Sequence, residues 1–410
     1  MQQMSFNKLT VRHLPIEDRR VLMRVDFNVP LDGGRILDNS RIASSLPTIR
    51  YLRERRCRIV LMSHLGRPRG KPDPKLSLGP VARLLAELLD APVKFVPVAV
   101  GESAEAATAA LAPGGVALLE NVRFDPGDEA NDSAYAALLA RHGEIYVNDA
   151  FGAAHRAHAS TSGVAAHLPA VAGMLLESEL NALGGLLTDP ARPFLVVLGG
   201  AKIKDKIAVI ESLLHRCDVL ALGGGMANAF LAAGGAELGG SLLETDQVDT
   251  ARRLLGIAAE RGVRVVLPKD RVAAASLDAA EPPVIVPAAQ IPPELAGYDI
   301  GPATVDAIAA EAATAGTVFW NGPLGVYEVP AYAQGTAGVG HAIAAATRRG
   351  AVTVAAGGDV IAALGAAGLA GDFTHLSTGG GASLELLEGK ELPGVACLLD
   401  AVHPGNRAPH

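Results

Sequence analysis

The strongest constraint in the sequence is a repeated event. A short apolar run ends abruptly in polar or glycine-rich residues, as in VLMRVDF, RIVLMSH, VALLENVRF, EIYVNDAFG, FLVVLGG, VLALGGG, RVVLPKD, TVFWNGPLG and VTVAAGGD. Helical patterns lie between several of these runs. In GPVARLLAELLD, Val81, Leu84, Leu85, Leu88 and Leu89 follow the i, i+3, i+4, i+7, i+8 rule of a helix with one buried face. In AKIKDKIAVIESLLHR, Ile203, Ile207, Ile210 and Leu214 form one stripe. Strands alternating with helices predict an α/β chain whose mainly parallel, doubly wound sheets are covered by helices on both faces. Ligands of such sheets sit beyond the carboxyl ends of the strands. The residues just past each strand are therefore the place to look for function.

The two halves of the chain differ there. In the first, strands run into DFN, SHLGRP, ENVRF and NDAFGAAHRAH, which supply Asp26, Asn28, His64, Arg67, Arg123, His155, Arg156 and His158. In the second, they run into GGAK, GGGM, NGPLG and AGGD, and HLSTGGGA adds a related turn. Charged forks and bare backbone N–H groups are two ways to hold an anion, and they point to two ligands. Charge follows the same division: 21 Lys+Arg stand against 19 Asp+Glu through residue 178, and 15 against 24 beyond it.

A chain of 410 residues favours two domains. The expected boundaries are 1–178 for the first lobe and 179–397 for the second. A helix near 173–192 joins them as a hinge, closed by Gly184-Gly185 and Pro190. The net charge of −7 argues against a nucleic-acid partner. Cys57, Cys217 and Cys397 are far apart and form no C-x-x-C pair, so neither a disulfide framework nor a zinc site is supported. His155 and His158 lack a third ligand nearby. There is no apolar h-region and no apolar run of roughly 18 residues, so a cytoplasmic protein without a membrane partner is expected.

Each motif also has a plain structural reading. Lys202 and Lys206 are four apart, which would place them on one face in the first turns of a helix. Like charges there repel, and the helix dipole disfavours cations. An anion held between them and the glycine N–H groups would reverse both penalties, whereas a solvated lysine face would not. Asp359 in AAGGDVIAAL either caps the next helix or holds a divalent metal. The glycines of STGGGASLELLEG either cradle oxygens or pack a tight turn, and GGGM and NGPLGVYE are equally open when taken singly. No run matches a Walker-type P-loop, and no G-x-G-x-x-G follows a strand, which weakens a dinucleotide oxidoreductase.

Taken together, the motifs resemble phosphoglycerate kinase over roughly residues 8–400. The match includes RVDFNVP (24–30), DNSRI (38–42), SHLGRP (63–68), LLENVRF (118–124), NDAFGAAHRAHAST (148–161), GGAKIKDK (199–206), GGGMANAF (223–230), DIGPAT (299–304), WNGPLGVYE (320–328), GGDV (357–360) and STGGGASLELLEGKELPG (377–394). The resemblance implies a 3-phosphoglycerate lobe and a nucleotide lobe. Positions matching the acid site are Asp26, Asn28, Arg41, His64, Arg67, Arg123 and Arg156. Those matching the nucleotide site are Gly200, Ala201, Lys202, Lys206, Gly224, Asn321, Val326, Glu328, Gly357, Gly358, Asp359 and Val360. Glu328 would meet the ribose and Asp359 the magnesium ion. Arg41, Lys202, Lys206, Gly358 and Gly380 would act on the transferring group. The implied reaction is reversible, Mg2+-dependent phosphoryl transfer between 1,3-bisphosphoglycerate and ADP, giving 3-phosphoglycerate and ATP. A monomer is expected, with a C-terminal tail from about 398 to 410 packed on the first lobe. The alternative is a catalytically inactive nucleotide-binding protein of the same fold. Two departures stand out. Val360 occupies a position where the family usually has Thr, so weaker nucleotide binding is expected. Asp125 stands where an aromatic or His is common, with no expected catalytic consequence.

Overall fold

The computed structural model describes residues 7–401. They divide into two units: the described residues up to Asn181 together with those from Glu391 onward, and Ala182–Lys390.

In the first unit, β1 (Arg20–Arg24), β2 (Arg58–Met62), β3 (Val93–Val96), β4 (Val116–Leu119), β5 (Ile145–Asn148) and β6 (Ala170–Ala172) form one sheet in the order β3-β4-β2-β1-β5-β6. Every pair is parallel. Side chains alternate across a strand, so each apolar run must find cover on both faces. Met23, Leu61, Leu118 and Val147 pack with Ile42, Ile49 and Leu52 of α1 (Ser40–Glu54) and Val81 and Leu85 of α2 (Gly79–Leu89). Leu22, Val60, Ala117 and Tyr146, on the opposite face, are equally buried.

The chain returns to this unit earlier than the sequence suggested. Gly394 N–H donates to Ala154 O at 2.8 Å, and Asn148 Nδ2 donates to Gly394 O at 2.7 Å. Leu399 N–H bonds Ala170 O, and Lys8 pairs with Asp400 at 2.7 Å. Positions 402–410 of the expected tail lie outside the described residues. The helix α3 (Met174–Thr188) also differs from expectation. It runs straight through Gly184-Gly185, which a helix tolerates at modest cost, and stops before Pro190. Its first turn is held by buried Asp149, whose Oδ1 accepts from Leu175 N–H (2.9 Å) and Leu176 N–H (3.1 Å).

In the second unit, β7 (Phe194–Leu198), β8 (Val219–Leu222), β9 (Arg264–Val266), β13 (Thr317–Asn321), β14 (Val352–Ala356) and β15 (His375–Ser377) make a second parallel sheet, ordered β9-β8-β7-β13-β14-β15. Val197, Ala221, Trp320 and Ala355 pack with Val339, Ile343, Val360 and Leu364. A small antiparallel sheet, ordered β11-β10-β12, was not foreseen. It comprises β10 (Asp270–Ala274), β11 (Val284–Pro287) and β12 (Ala296–Ile300).

Candidate functional site

Two clusters form, one at the carboxyl ends of each parallel sheet. In the first unit, β1 delivers Asp26 and Asn28, and β2 delivers His64 and Arg67. Arg41, in the first turn of α1, donates to Asp26 Oδ2 at 2.5 Å. Asn28 Oδ1 accepts Gly66 N–H at 2.8 Å, and Arg123 Nη1 donates to Gly66 O at 3.1 Å. The loop after β2 is thus gripped from two sides. Its Arg67 is exposed. Arg156 is half-buried, its Nε against His155 Nε2 at 3.2 Å.

The centre of this cluster is a residue that sequence reasoning misses. Arg24 is fully buried at the end of β1. Its Nη2 donates to His64 Nδ1 at 3.0 Å and its Nε to Ser160 Oγ at 3.2 Å. A guanidinium has no acceptor, so His64 Nδ1 must be the unprotonated nitrogen. Burial, reinforced by Arg24, Arg123 and Arg41, holds the His64 pKa well below its usual value. His64 is therefore a neutral imidazole, with Nε2–H left to donate. Burial and Arg24 push Arg123 down to about 10, so it stays charged at neutral pH. His158, read as a weak zinc candidate, instead faces Asp128 (Nδ1 to Oδ2, 3.8 Å). Asp128 Oδ1 accepts Ser160 N–H. The signal for Arg24 was the single cation inside the run VLMRVDF. Asp125, the other unexplained position, caps the short helix Pro126–Glu129 by accepting Gly127 N–H at 2.8 Å.

Arg24 and Arg123 are both buried, and neighbouring guanidiniums in a protein interior repel one another and are poorly solvated. An anionic ligand would relieve both costs, and planar forks suit carboxylate or phosphate oxygens.

In the second unit the strand ends are stitched together by backbone. Gly199 N–H bonds Asn321 O, Gly200 N–H bonds Pro323 O, Gly224 N–H bonds Leu324 O and Met226 N–H bonds Gly200 O. A Cβ on Gly224, which has φ +64°, would stand 2.6 Å from Gly200 O, so the turns approach too closely for any other residue. Lys206 Nζ donates to Gly199 O (2.7 Å), Asn321 O (3.2 Å) and Asn321 Oδ1, while Asn321 Nδ2 donates to Ala356 O at 2.6 Å. Lys206 and Asn321 together tie the ends of β7, β13 and β14. Burial pushes Lys206 down to about 8, against the raising effect of Asp359 and Asp205.

The two lysines do not share a helix face. The helix α4 (Ile207–Leu214) begins only after a 3-10 turn over Lys204–Lys206, and Lys202 precedes both. Two bonds hold the preceding segment: Glu244 Oε2 accepts Ile203 N–H at 2.7 Å, and Lys206 reaches back to the strand ends. Lys202 and Ala201 are exposed. Asp359 is not the cap of α5 (Gly358–Ala366). Gly357, at φ +112°, holds that place, and Asp359 sits exposed in the first turn. Val360 is fully buried in the core. Val326 N–H bonds Tyr298 O, and Glu328 is exposed. Burial, reinforced by Asp359 and Glu328, raises the Tyr327 pKa. Gly380 precedes the short helix Gly381–Leu387, and no hydrogen bond joins it to the other turns among the described residues.

The phosphoglycerate kinase family model matches residues 11–390. A phosphoglycerate kinase of Thermomicrobium roseum is 55% identical over 391 residues, covering 95% of this chain and 99% of that protein. One from Chloroflexus aurantiacus is 54% identical over 398 residues, covering 96% and 100%. Among solved structures, phosphoglycerate kinase from Coxiella burnetii superposes with a TM-score of 0.85 at 40% identity, covering 95% of this chain and 98% of that one. The enzyme from Pyrococcus horikoshii OT3 gives 0.83 at 32%, with the same coverage. A family model that spans residues 11–390, and relatives identical at more than half of positions over nearly the whole length, place the chain in the phosphoglycerate kinase family.

Proposed function

We propose that the chain is a working phosphoglycerate kinase in which the first unit holds 3-phosphoglycerate or 1,3-bisphosphoglycerate and the second holds ADP or ATP. The observation that carries this reading is the pairing of a buried guanidinium cluster around a neutral His64 with a separate lysine-centred set of glycine turns. Asp26, Asn28, His64, Arg67, Arg123 and Arg156 hold the acid and its distal phosphate. Gly200, Ala201, Lys202, Gly224, Asn321, Val326, Glu328, Gly357, Gly358 and Val360 form the nucleotide site.

Phosphoryl transfer of this kind passes through a loose, in-line transition state with charge spread over the equatorial oxygens. Arg41 and Lys206, aided by Lys202 and the N–H groups of Gly358 and Gly380, stabilise that charge. Lys206 must exchange carbonyl partners for phosphate oxygens to do so. The acceptor carboxylate is already ionised at neutral pH, so no base is required and His64 acts as a donor that positions the acid. Because the acid and the nucleotide are held on different units, transfer requires them to be brought together away from water.

The donor set fits Mg2+. That ion takes one or two carboxylates along with substrate phosphates rather than an all-protein cage. Asp359 offers an exposed carboxylate not committed to capping, and no cluster of three or more metal-ligating side chains exists among the described residues. When bound with the nucleotide, Mg2+ neutralises phosphate charge. Among the described residues no helix is long and apolar enough to cross a membrane. A cytoplasmic monomer completes the proposal.

The test is turnover in both directions, ATP from 1,3-bisphosphoglycerate and MgADP and the reverse. The parent is expected to turn over, with Arg41→Ala and Lys206→Ala each losing about 100-fold or more in kcat, the scale of losing one preorganised charge-stabilising donor. A folded but inactive parent would overturn the reading.

A further inference from the structure

One buried charge in the second unit has no part in the clusters above. Arg271, on β10, is 1% exposed. Its Nη2 donates to Gly224 O at 2.9 Å and to Asn228 Oδ1, and its Nε is buried with no hydrogen-bond partner. Asp299, the acid that acts on it, is already committed, accepting Ile300 N–H at 2.8 Å and Gly335 N–H at 2.7 Å. Burying a guanidinium without a close carboxylate is costly, and both groups it does reach lie on the single segment Gly224–Asn228.

That segment is the glycine turn after β8. In a trans peptide the C=O and the following N–H point in opposite directions. Fixing the Gly224 carbonyl on Arg271 therefore turns the Gly225 N–H away from Arg271. The Gly225 N–H has no backbone partner among the described residues, and Gly225 is half-buried rather than enclosed. The turn is also closely packed against its neighbour. Gly224 is wedged against Gly200, and a Cβ on Gly225 would stand 2.7 Å from Ala201 O.

We propose that Arg271 is a positioning residue for nucleotide binding, which holds the Gly224–Gly225 peptide so that the Gly225 N–H is presented to the bound nucleotide. The proposal rests on the nucleotide reading of these turns. It assigns Arg271 no contact with the ligand and no part in binding the acid.

The experiment is calorimetric titration of MgADP into the full chain, its Arg271→Met variant and its Arg271→Lys variant, with KM for 3-phosphoglycerate measured at saturating nucleotide. Arg271→Met is expected to raise the Kd for MgADP about tenfold and leave KM for the acid unchanged. Arg271→Lys, which keeps one donor for Gly224 O, is expected to recover part of the loss. A lower Tm with an unchanged Kd would overturn the proposal and leave Arg271 a purely structural residue. Should Arg271→Met not fold, the unmodified 15N-labelled protein decides: the Gly225 amide resonance is expected to shift on MgADP addition, and an indifferent resonance would overturn the proposal. If the unmodified protein does not bind MgADP at all, the nucleotide reading itself fails and takes this inference with it.

Discussion

At the scale of the residue, burial decides what each charged group can do. Lys206 is the clearest case. Its folded-state pKa of about 8 lies below the ordinary lysine value, so the ammonium proposed to neutralise phosphate is lost as pH rises through about 8. MgADP affinity is expected to fall above that pH, and Lys206→Arg to abolish the inflection. A pH-independent Kd between about 7 and 10 would show that Lys206 does not meet the phosphates. The same depressed pKa acts on stability in the opposite sense. Between about 8 and 10.5 the unfolded chain binds more protons at this group, so its contribution rises with pH. Val360 poses a different trade. It is fully buried in an apolar core, and a threonine there adds a hydroxyl while removing a methyl. Val360→Thr is expected to tighten MgADP binding several-fold and to cost about 1–2 kcal/mol in stability. Unchanged affinity would rule out a hydroxyl contact. The candidate cations are legible in the sequence, because Arg and His following apolar runs are conspicuous. Arg24 as the hub is not, because one arginine inside an apolar run shows nothing of its partners, and those come from positions 64 and 160.

At the scale of the element, the longer apolar strands were legible, whereas Val93–Val96, Ala170–Ala172, His375–Ser377, the small antiparallel sheet and the helix starts were not. A strand buried on both faces writes itself as a continuous apolar run. A helix start depends on which distant group takes its first N–H donors. The periodicity of Ile203, Ile207, Ile210 and Leu214 suggested a helix reaching back through Lys202, yet Glu244 and the Lys206 side chain hold a 3-10 turn there instead. Asp359 looked like a cap, but Gly357 takes that place. The opposite surprise is Asp149, far away in sequence, serving the first turn of α3. Asp149→Ala is expected to destabilise the protein by about 1–2 kcal/mol, the usual scale for losing a helix-terminal acceptor. Burial raises Asp149 to about 7, so the folded state favours its protonated form, and this stabilisation is lost as pH rises from about 4 through 7. Asp149→Asn keeps an acceptor and should flatten that part of the stability profile. An unaltered profile would mean that Asp149 does not titrate in this range.

At the scale of the whole molecule, the chain makes two units that each bury their own core and each leave one polar cluster at the carboxyl ends of a parallel sheet. Charge and the change in strand endings suggested a division near 178, and the described residues divide after Asn181. The second crossing was less legible, because nothing local at Glu391 announces the return; Asn148 and Ala154 capture Gly394 across a long sequence separation. If each cluster serves one substrate, as proposed, the two binding events must be separable by mutation. Arg156 offers the cleanest separation, being half-buried, with its guanidinium Nε against the neighbouring His155. The decisive experiment is calorimetry of 3-phosphoglycerate and of MgADP, each titrated into the parent and into Arg156→Ala. The expected result is a Kd for 3-phosphoglycerate at least about tenfold weaker in the variant, the scale of losing a charged hydrogen bond, with an unchanged Kd for MgADP. Loss of MgADP binding, or no loss of 3-phosphoglycerate binding, would contradict the division of substrates between the two units.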